Sequence, residues 1–273
     1  MRPTVEWRYD RLTWPEMRQA IARKPQPVIV IPWAAVEDHG PHLPLSTDND
    51  INEGILFEAA RRSGGDVLIL PSIPYGLDEH HMDFPGTIAV DMETCLAFVS
   101  QVAISAARHG FTHILIVNGH GSNYSIAELA ARKCVLETGI VCASMAVNLA
   151  VNPALAGDVL DAERKGGPGS VGHACEYETS MMLRLVPDYV QMDKAARDIG
   201  QSKLRYFNWD HPEPSVYAWQ DWWSRFSKEG VCGDAAVATR ELGERLLEVT
   251  VERFLELARE FRTIPIRERV DHH

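Results

Sequence analysis

The chain has 273 residues, of which 45% are hydrophobic and 24% charged, with a formal net charge of −11. That length allows one large α/β domain with a substantial core. The acidic balance (pI about 5.5) argues against a nucleic-acid surface, which needs a basic face. No apolar run approaches the length of a membrane span.

In chain order, apolar residues at helical spacing run from Arg11 to Lys24. The run Val28 to Ile31 is short, β-branched and bounded by prolines, which suits a buried parallel strand. A polar loop, Glu37 to Asp50, leads to a helix over Ile51 to Arg62. A second strand, Asp66 to Leu70, ends in the loop PSIPYGLDEHHMDFPGT, and a helix follows from Asp91 to Gly110. A third strand, His113 to Val117, runs into NGHGSN and a helix over Ser125 to Thr138, and a fourth strand starts near Gly139. The alternation predicts an α/β fold with a parallel sheet, whose site lies at the carboxyl ends of the strands.

Further on, the glycine-rich stretch Asp158 to Gly172 reads as a mobile loop. HACEYETSMMLRL turns helical, and Asn208 to Phe226 holds Trp209, Trp219, Trp222 and Trp223. A long amphipathic helix is expected from Ala235 to Phe261. No repeat or linker appears, so the expectation is a single domain over 1–273. Five cysteines in odd number and without CxxC spacing predict neither a disulfide framework nor a cysteine zinc site. The N-terminus has no apolar signal core, so the cytoplasm is the expected compartment.

Three clusters carry candidate chemistry. In VEDHGPHLPLSTD, Glu37 and His39 are two apart in an extended segment and aim at one point, to which Asp48 can return after the turn. Carboxylate and imidazole together suit Zn, Mn or Fe; a solvated polar loop is the competing explanation. In NGHGSN, His120 lies between Gly119 and Gly121, which let backbone or ligand approach closely. In GHACEYETS, His173 precedes a helix, with Glu176 and Glu178 in its first turns. Either glutamate could simply favour the helix dipole. A buried one would complete a metal site, and His173 could donate a proton.

Together these segments resemble the creatininase (creatinine amidohydrolase) family. EDHGPHLPLSTD is similar to its E-x-H-G-P-H-L-P-x-x-T-D signature. FPGT at 84–87, NGHGSN at 118–123, HACEYETS at 173–180 and GVCGDAAVATRELGERL at 230–246 match further segments in order. The resemblance covers about residues 27–257. It implies a three-layer α/β/α sandwich with a mainly parallel central sheet, and a cyclic homo-oligomer, often a hexamer. It also implies two divalent metal ions (Zn, Mn or Fe) and hydrolysis of amide-type C–N bonds in a small-molecule substrate. Carried over by position, Glu37, Asp48 and His120 would hold one metal, and His39 and Asp48 the other, with Asp48 bridging.

In such a site an activated water attacks the amide carbon, and His173 is the candidate to protonate the leaving nitrogen. Glu178 could orient His173, ligate the second metal or shuttle the proton. A lactonase, a peptidase and a non-catalytic metal- or ligand-binding protein remain alternatives. A serine or cysteine hydrolase has little support, because no G-x-S-x-G elbow occurs and Cys175 has no activating context beyond His173. In creatinine amidohydrolase itself the residue two places after the metal-binding histidine of the third-strand loop is a glutamate metal ligand. Here it is Ser122, a poor ligand. The expectation is that Glu178 replaces it and that creatinine is not an efficient substrate. The tryptophan-rich segment is expected near the site or at a subunit interface.

Overall fold

A computed structural model describes residues 5–147, 153–199, 203–204, 206–208, 210 and 216–273. Its centre is a parallel sheet in the order β2–β1–β3–β4, formed by β1 (Val28–Trp33), β2 (Val67–Ile69), β3 (His113–Asn118) and β4 (Val141–Ala146). Every residue of β1 is buried, as expected of a strand covered on both faces. Alternate side chains feed two cores. Val28 and Val30 join one apolar cluster, and Ile29, Ile31 and Trp33 join the other.

The helices form the outer layers. On the Ile29 face lie α3 (Met92–Arg108) and α4 (Tyr124–Thr138), through Cys95, Val99, Ala103, Ile126 and Ala130. On the Val28 face lie α2 (Thr47–Arg62), α5 (Pro153–Glu163), α6 (Glu176–Leu185) and α8 (Arg240–Phe261). The result is the expected three-layer α/β/α sandwich. Two shorter helices complete the set used below: α1 (Trp14–Ala22) and α7 (Trp223–Phe226).

Local chemistry sets the boundaries. Asp91 caps α3 by accepting from the Thr94 amide at 2.9 Å, and Thr239 caps α8 by accepting from the Leu242 amide at 3.3 Å. Gly139 ends α4 with φ of 72°, a left-handed position that suits glycine.

Three expectations need correction. Helix α8 starts at Arg240 rather than Ala235, because Ala235–Val237 form a separate 3-10 turn before the Thr239 cap. Helix α2 starts at Thr47 rather than Ile51, because the chain turns at once after Pro44, with Thr47 N–H bonded to the Pro44 carbonyl at 3.2 Å. Asp48 therefore sits in the first helical turn, not in a loop. The stretch expected to be loop from Asp158 is helical to Glu163, since Leu155, Ala156 and Leu160 are buried in the Val28-face core with α8. Of the tryptophan-rich segment, Trp209 lies outside the described residues. All five cysteines are free, and among the described residues no helix is long and apolar enough to cross a membrane.

Candidate metal centre

The carboxyl ends of β1 and β3 are neighbours in register, with Trp33 opposite Asn118. Each strand therefore delivers its following loop to the same place. After β3, Asn118 fixes the turn at both ends: its Oδ1 accepts from His120 N–H at 3.0 Å, and its Nδ2 donates to the His120 carbonyl at 2.5 Å. Gly119 packs so closely that a Cβ there would lie 2.9 Å from Asn52 Cβ and 3.0 Å from the Asp48 carbonyl. Its lack of a side chain lets the His120 loop touch the start of α2. Gly121 faces open space.

Four of the expected residues converge. His120 Nδ1 lies 3.2 Å from Glu37 Oε1 and 3.0 Å from Asp48 Oδ2. His39 Nε2 lies 3.4 Å from Asp48 Oδ1 and 3.8 Å from Glu37 Oε1. All four side chains are at least 96% buried. His173 arrives from the opposite side with Nδ1 3.8 Å from Glu37 Oε1, and its Nε2–H donates to the Asp38 carbonyl at 2.8 Å. Its ring centroid is 4.3 Å from that of His39.

The two glutamates of α6 divide. Glu176 accepts from the amides of Lys165 and Gly166 at 2.6 and 2.8 Å and fastens that loop. Glu178 is buried beside the cluster. Its Oε2 accepts from the Cys175 amide at 3.3 Å, so the helix-start role also holds. Burial, together with the Asp48 and Glu37 charges, pushes its carboxyl up to about 7 against the opposing pull of His39.

The remaining segments are struts. Thr87 of FPGT accepts from the Asp38 amide at 3.3 Å. His42 Nε2 meets Thr179 Oγ1 at 2.9 Å and ties the first loop to α6. Cys232 and His173 exchange two backbone hydrogen bonds of 2.8 Å, joining GVCGD to HACEYETS. Gly230, at φ of 69°, presses its backbone against the Asp38 carboxylate.

Sequence reasoning missed Asp38, Asp78, His80 and His81. His81 Nδ1–H donates to Asp38 Oδ2 at 2.6 Å. Its Nε2 stands 3.2 Å from Glu37 Oε2, outside hydrogen-bond geometry. Trp223 stacks on the His81 ring at 4.7 Å and 20°, and meets His173 edge-on at 4.8 Å. Among the described residues the tryptophan segment thus reaches the site through Trp223, while Trp219 packs on Phe207 and Phe226. The available signal was the His-His pair just before FPGT. Asp38 lies between Glu37 and His39, so alternation points it away from both, and it turns toward His81.

The electrostatics follow from the company these acids keep. Among the described residues, every ion pair made by Glu37 or Asp48 is to a histidine. Burial opposes ionisation of Glu37, yet His120 and His81 hold it well below the usual carboxylate range. Burial likewise opposes charging of His39, but Asp48 lifts it to about 10. His120 is raised by Glu37 and Asp78 against burial. His173 is held well below its ordinary value by burial and by the His39 charge.

This donor set fits divalent ions. One donor atom from each of Glu37, Asp48 and His120 lies within 4.8 Å of the others, and the same holds for Glu37, His39 and His173. Glu37 Oε2 and His39 Nε2 are buried without a hydrogen-bond partner, which is costly in a protein interior unless a cation or proton meets them.

Comparison with known proteins gives a consistent result. Residues 10–258 match the profile of the creatininase (creatinine amidohydrolase) family. The chain is 28% identical over 266 residues to creatinine amidohydrolase of Pseudomonas putida, covering 91% of this chain and 95% of that one. It is 30% identical over 241 residues to the mycofactocin precursor peptide peptidase of Mycobacterium tuberculosis, covering 83% and 82%. A glutamate-to-glutamine mutant of creatininase in its zinc–zinc form superposes with a TM-score of 0.76 at 26% identity, over 96% of this chain and 100% of that chain.

Proposed function

This chain belongs to the creatininase family, and on that premise we propose that it is a metal-dependent amidohydrolase. It cleaves a non-peptide C–N bond (an amide, cyclic amide or formamide) of a small molecule with activated water. The observation that carries this reading is the set of buried carboxylates at the ends of β1 and β3 whose only charged partners, among the described residues, are histidines.

Glu37, Asp48 and His120 would hold one divalent ion, and His39, Asp48 and Glu178 the other, with Asp48 shared. The carboxylate and imidazole donors suit Zn, Mn or Fe, and zinc is supported by the zinc–zinc form of the superposed creatininase. When bound, such ions would supply a water of near-neutral pKa and a Lewis acid for a carbonyl.

The chain's own residues do the rest. His173 stands beside Glu37 with Nδ1 free to take the proton given up by the attacking water, and it is the candidate to pass that proton to the leaving nitrogen, which departs poorly as an anion. Asp38 positions both imidazoles of this wall, His173 through its carbonyl and His81 through its carboxylate. Trp223 covers both rings and keeps bulk water from them. Ser122 stands where a carboxylate would narrow the pocket, so the substrate is an amide other than creatinine. Peptide hydrolysis is the second reading, favoured by the 30% identity to the mycobacterial peptidase.

Dialysis against a chelator should abolish turnover, and Zn, Mn or Fe should restore it. Turnover is read against a panel of lactams, formamides, lactones and short peptides. Full activity in metal-free protein would overturn the reading.

We further assign the chain to a single domain, to the cytoplasm, where unpaired thiols persist, and to a homo-oligomer, with a hexamer favoured by the family resemblance. An apolar cleft of about 500 Å³ beside α3, lined by exposed Tyr75 and Phe98, supports self-association. Light scattering on the eluting protein tests it.

A further inference from the structure

Beside the Glu37–Asp48 cluster lies a second set of donors, two of which, Asp78 and His80, fall outside the segments that carry the family resemblance. His120 stands between the two sets. Its Nδ1 faces Glu37 and Asp48. Its Nε2 faces the other way, 3.6 Å from Asp78 Oδ1, and donates to the Leu77 carbonyl at 3.2 Å. One donor atom from each of Asp78, His80 and His120 lies within 4.8 Å of the others.

Asp78 is the independent sign that something belongs there. It is 0% exposed, and neither carboxylate oxygen accepts a hydrogen bond. A buried acid in that state must take up a proton or face a cation. Two imidazoles and a carboxylate make the three-ligand set that borderline ions accept while keeping an open position. Ser122 Oγ meets His80 Nε2 at 3.0 Å and orients that ring, as partners behind ligand histidines do. His80 is only half-buried, which leaves a way in from solvent.

We propose that Asp78, His80 and the Nε2 of His120 form a cation site of their own, for a divalent ion such as Zn²⁺ or Co²⁺, adjoining the Glu37–Asp48 cluster. An ion there takes the place of the Nε2 proton that His120 donates to Leu77; with Nδ1 also a ligand the ring becomes a bridging imidazolate and one proton is released to solvent. The site is therefore weaker than the Glu37–Asp48 cluster and fills after it.

The test counts metal. Chelator-treated full-length protein is titrated with Zn²⁺ or Co²⁺ in equilibrium dialysis, and bound metal is measured by mass spectrometry. Co²⁺ absorption bands report ligand geometry independently of activity. The wild type should take up one equivalent beyond those held by the Glu37–Asp48 cluster. His80→Gln and Asp78→Asn should each lose that equivalent alone. Asp48→Asn should lose metal from the neighbouring cluster and keep it. Asp78 is deeply buried, so His80→Gln, at a half-exposed position and checked by circular dichroism, is the decisive variant. A folded His80→Gln with the wild-type metal count and Co²⁺ spectrum overturns the proposal and leaves Asp78 sharing a proton with Glu37. If Asp48→Asn keeps all its metal while His80→Gln loses an equivalent, the dinuclear reading of the proposed function fails and this site stands.

Discussion

The two ends of the central sheet hold their acidic residues in opposite company. At the amino ends of the strands Asp66 meets Arg262 at 2.8 Å, Arg259 at 3.1 Å and Arg23 at 3.8 Å. Nearby, Glu248 pairs with Arg62 through two contacts of 2.5 and 2.8 Å. At the carboxyl ends, Glu37 and Asp48 pair only with histidines among the described residues, and Asp78 accepts no hydrogen bond. Arginine is always charged and needs nothing further to complete a pair. Histidine can exchange its proton for a metal, so an acid matched to histidine is matched provisionally. The amino end is a structural seam and the carboxyl end is a place where a cation is expected.

The largest break in that contrast should come from Asp48. On the proposed assignment Asp48 serves both ions, so Asp48→Ala should cost several kcal/mol of transition-state stabilisation, on the order of a thousandfold in kcat/KM. It should also do more damage than Glu37→Ala. The paired kinetics, with metal content measured on both variants, check the order. An Asp48→Ala protein that still held two metals per chain would end the shared-ligand assignment.

Glu178 sharpens the contrast by asking how far the proposed metal cluster extends. Glu178→Gln keeps the shape and the cap on the Cys175 amide but weakens the charge. One metal site should lose occupancy while the other stays filled. Full occupancy of both would leave Glu178 as a helix cap beside the cluster.

A smaller effect is expected behind the histidines. Asp38→Asn removes the carboxylate that holds His81 Nδ1 at 2.6 Å but leaves the carbonyl that holds His173. Loss of such supporting partners typically costs about 10–100-fold in metal affinity or activity. A kcat that falls with KM unchanged would place His81 in the chemical step. Wild-type kinetics would reduce the Asp38–His81 pair to packing.

Much of the fold was legible because β1 and β3 are short apolar runs between turn signals, and each strand precedes a polar loop. Glu37, His39, Asp48 and His120 were legible because two adjacent strands deliver their loops to one place. Asp78, His80 and His81 were not. They lie in the Pro/Gly-rich connection after β2, where no periodicity says which side chain turns inward. The proximity of His81 to Glu37 is set by packing on Trp223, which is 142 positions away in the chain. The early start of α2 was hidden because Ser46 and Thr47 read equally well as loop or helix start.

The smallest effect is predicted at the amino end, and its pH dependence separates the two ends most cleanly. Burial alone would raise the Asp66 carboxyl, yet the hydrogen bonds and charges of Arg262 and Arg259 lower it below 3.8. A carboxylate depressed in the folded state stabilises the fold above its unfolded value, and that stabilisation disappears as pH falls through the folded value. Solvent reaches this cluster, so Asp66→Asn should cost about 1 kcal/mol or less at neutral pH, a few degrees of Tm at most. The gap between wild type and variant should close well below pH 3.8, where both are neutral, and high salt should narrow it. Chelation should leave it unchanged, because no metal shares these arginines. If the gap depended on metal, or persisted undiminished in strong acid, the two ends of the sheet would not be electrostatically independent and the contrast drawn between them would fail.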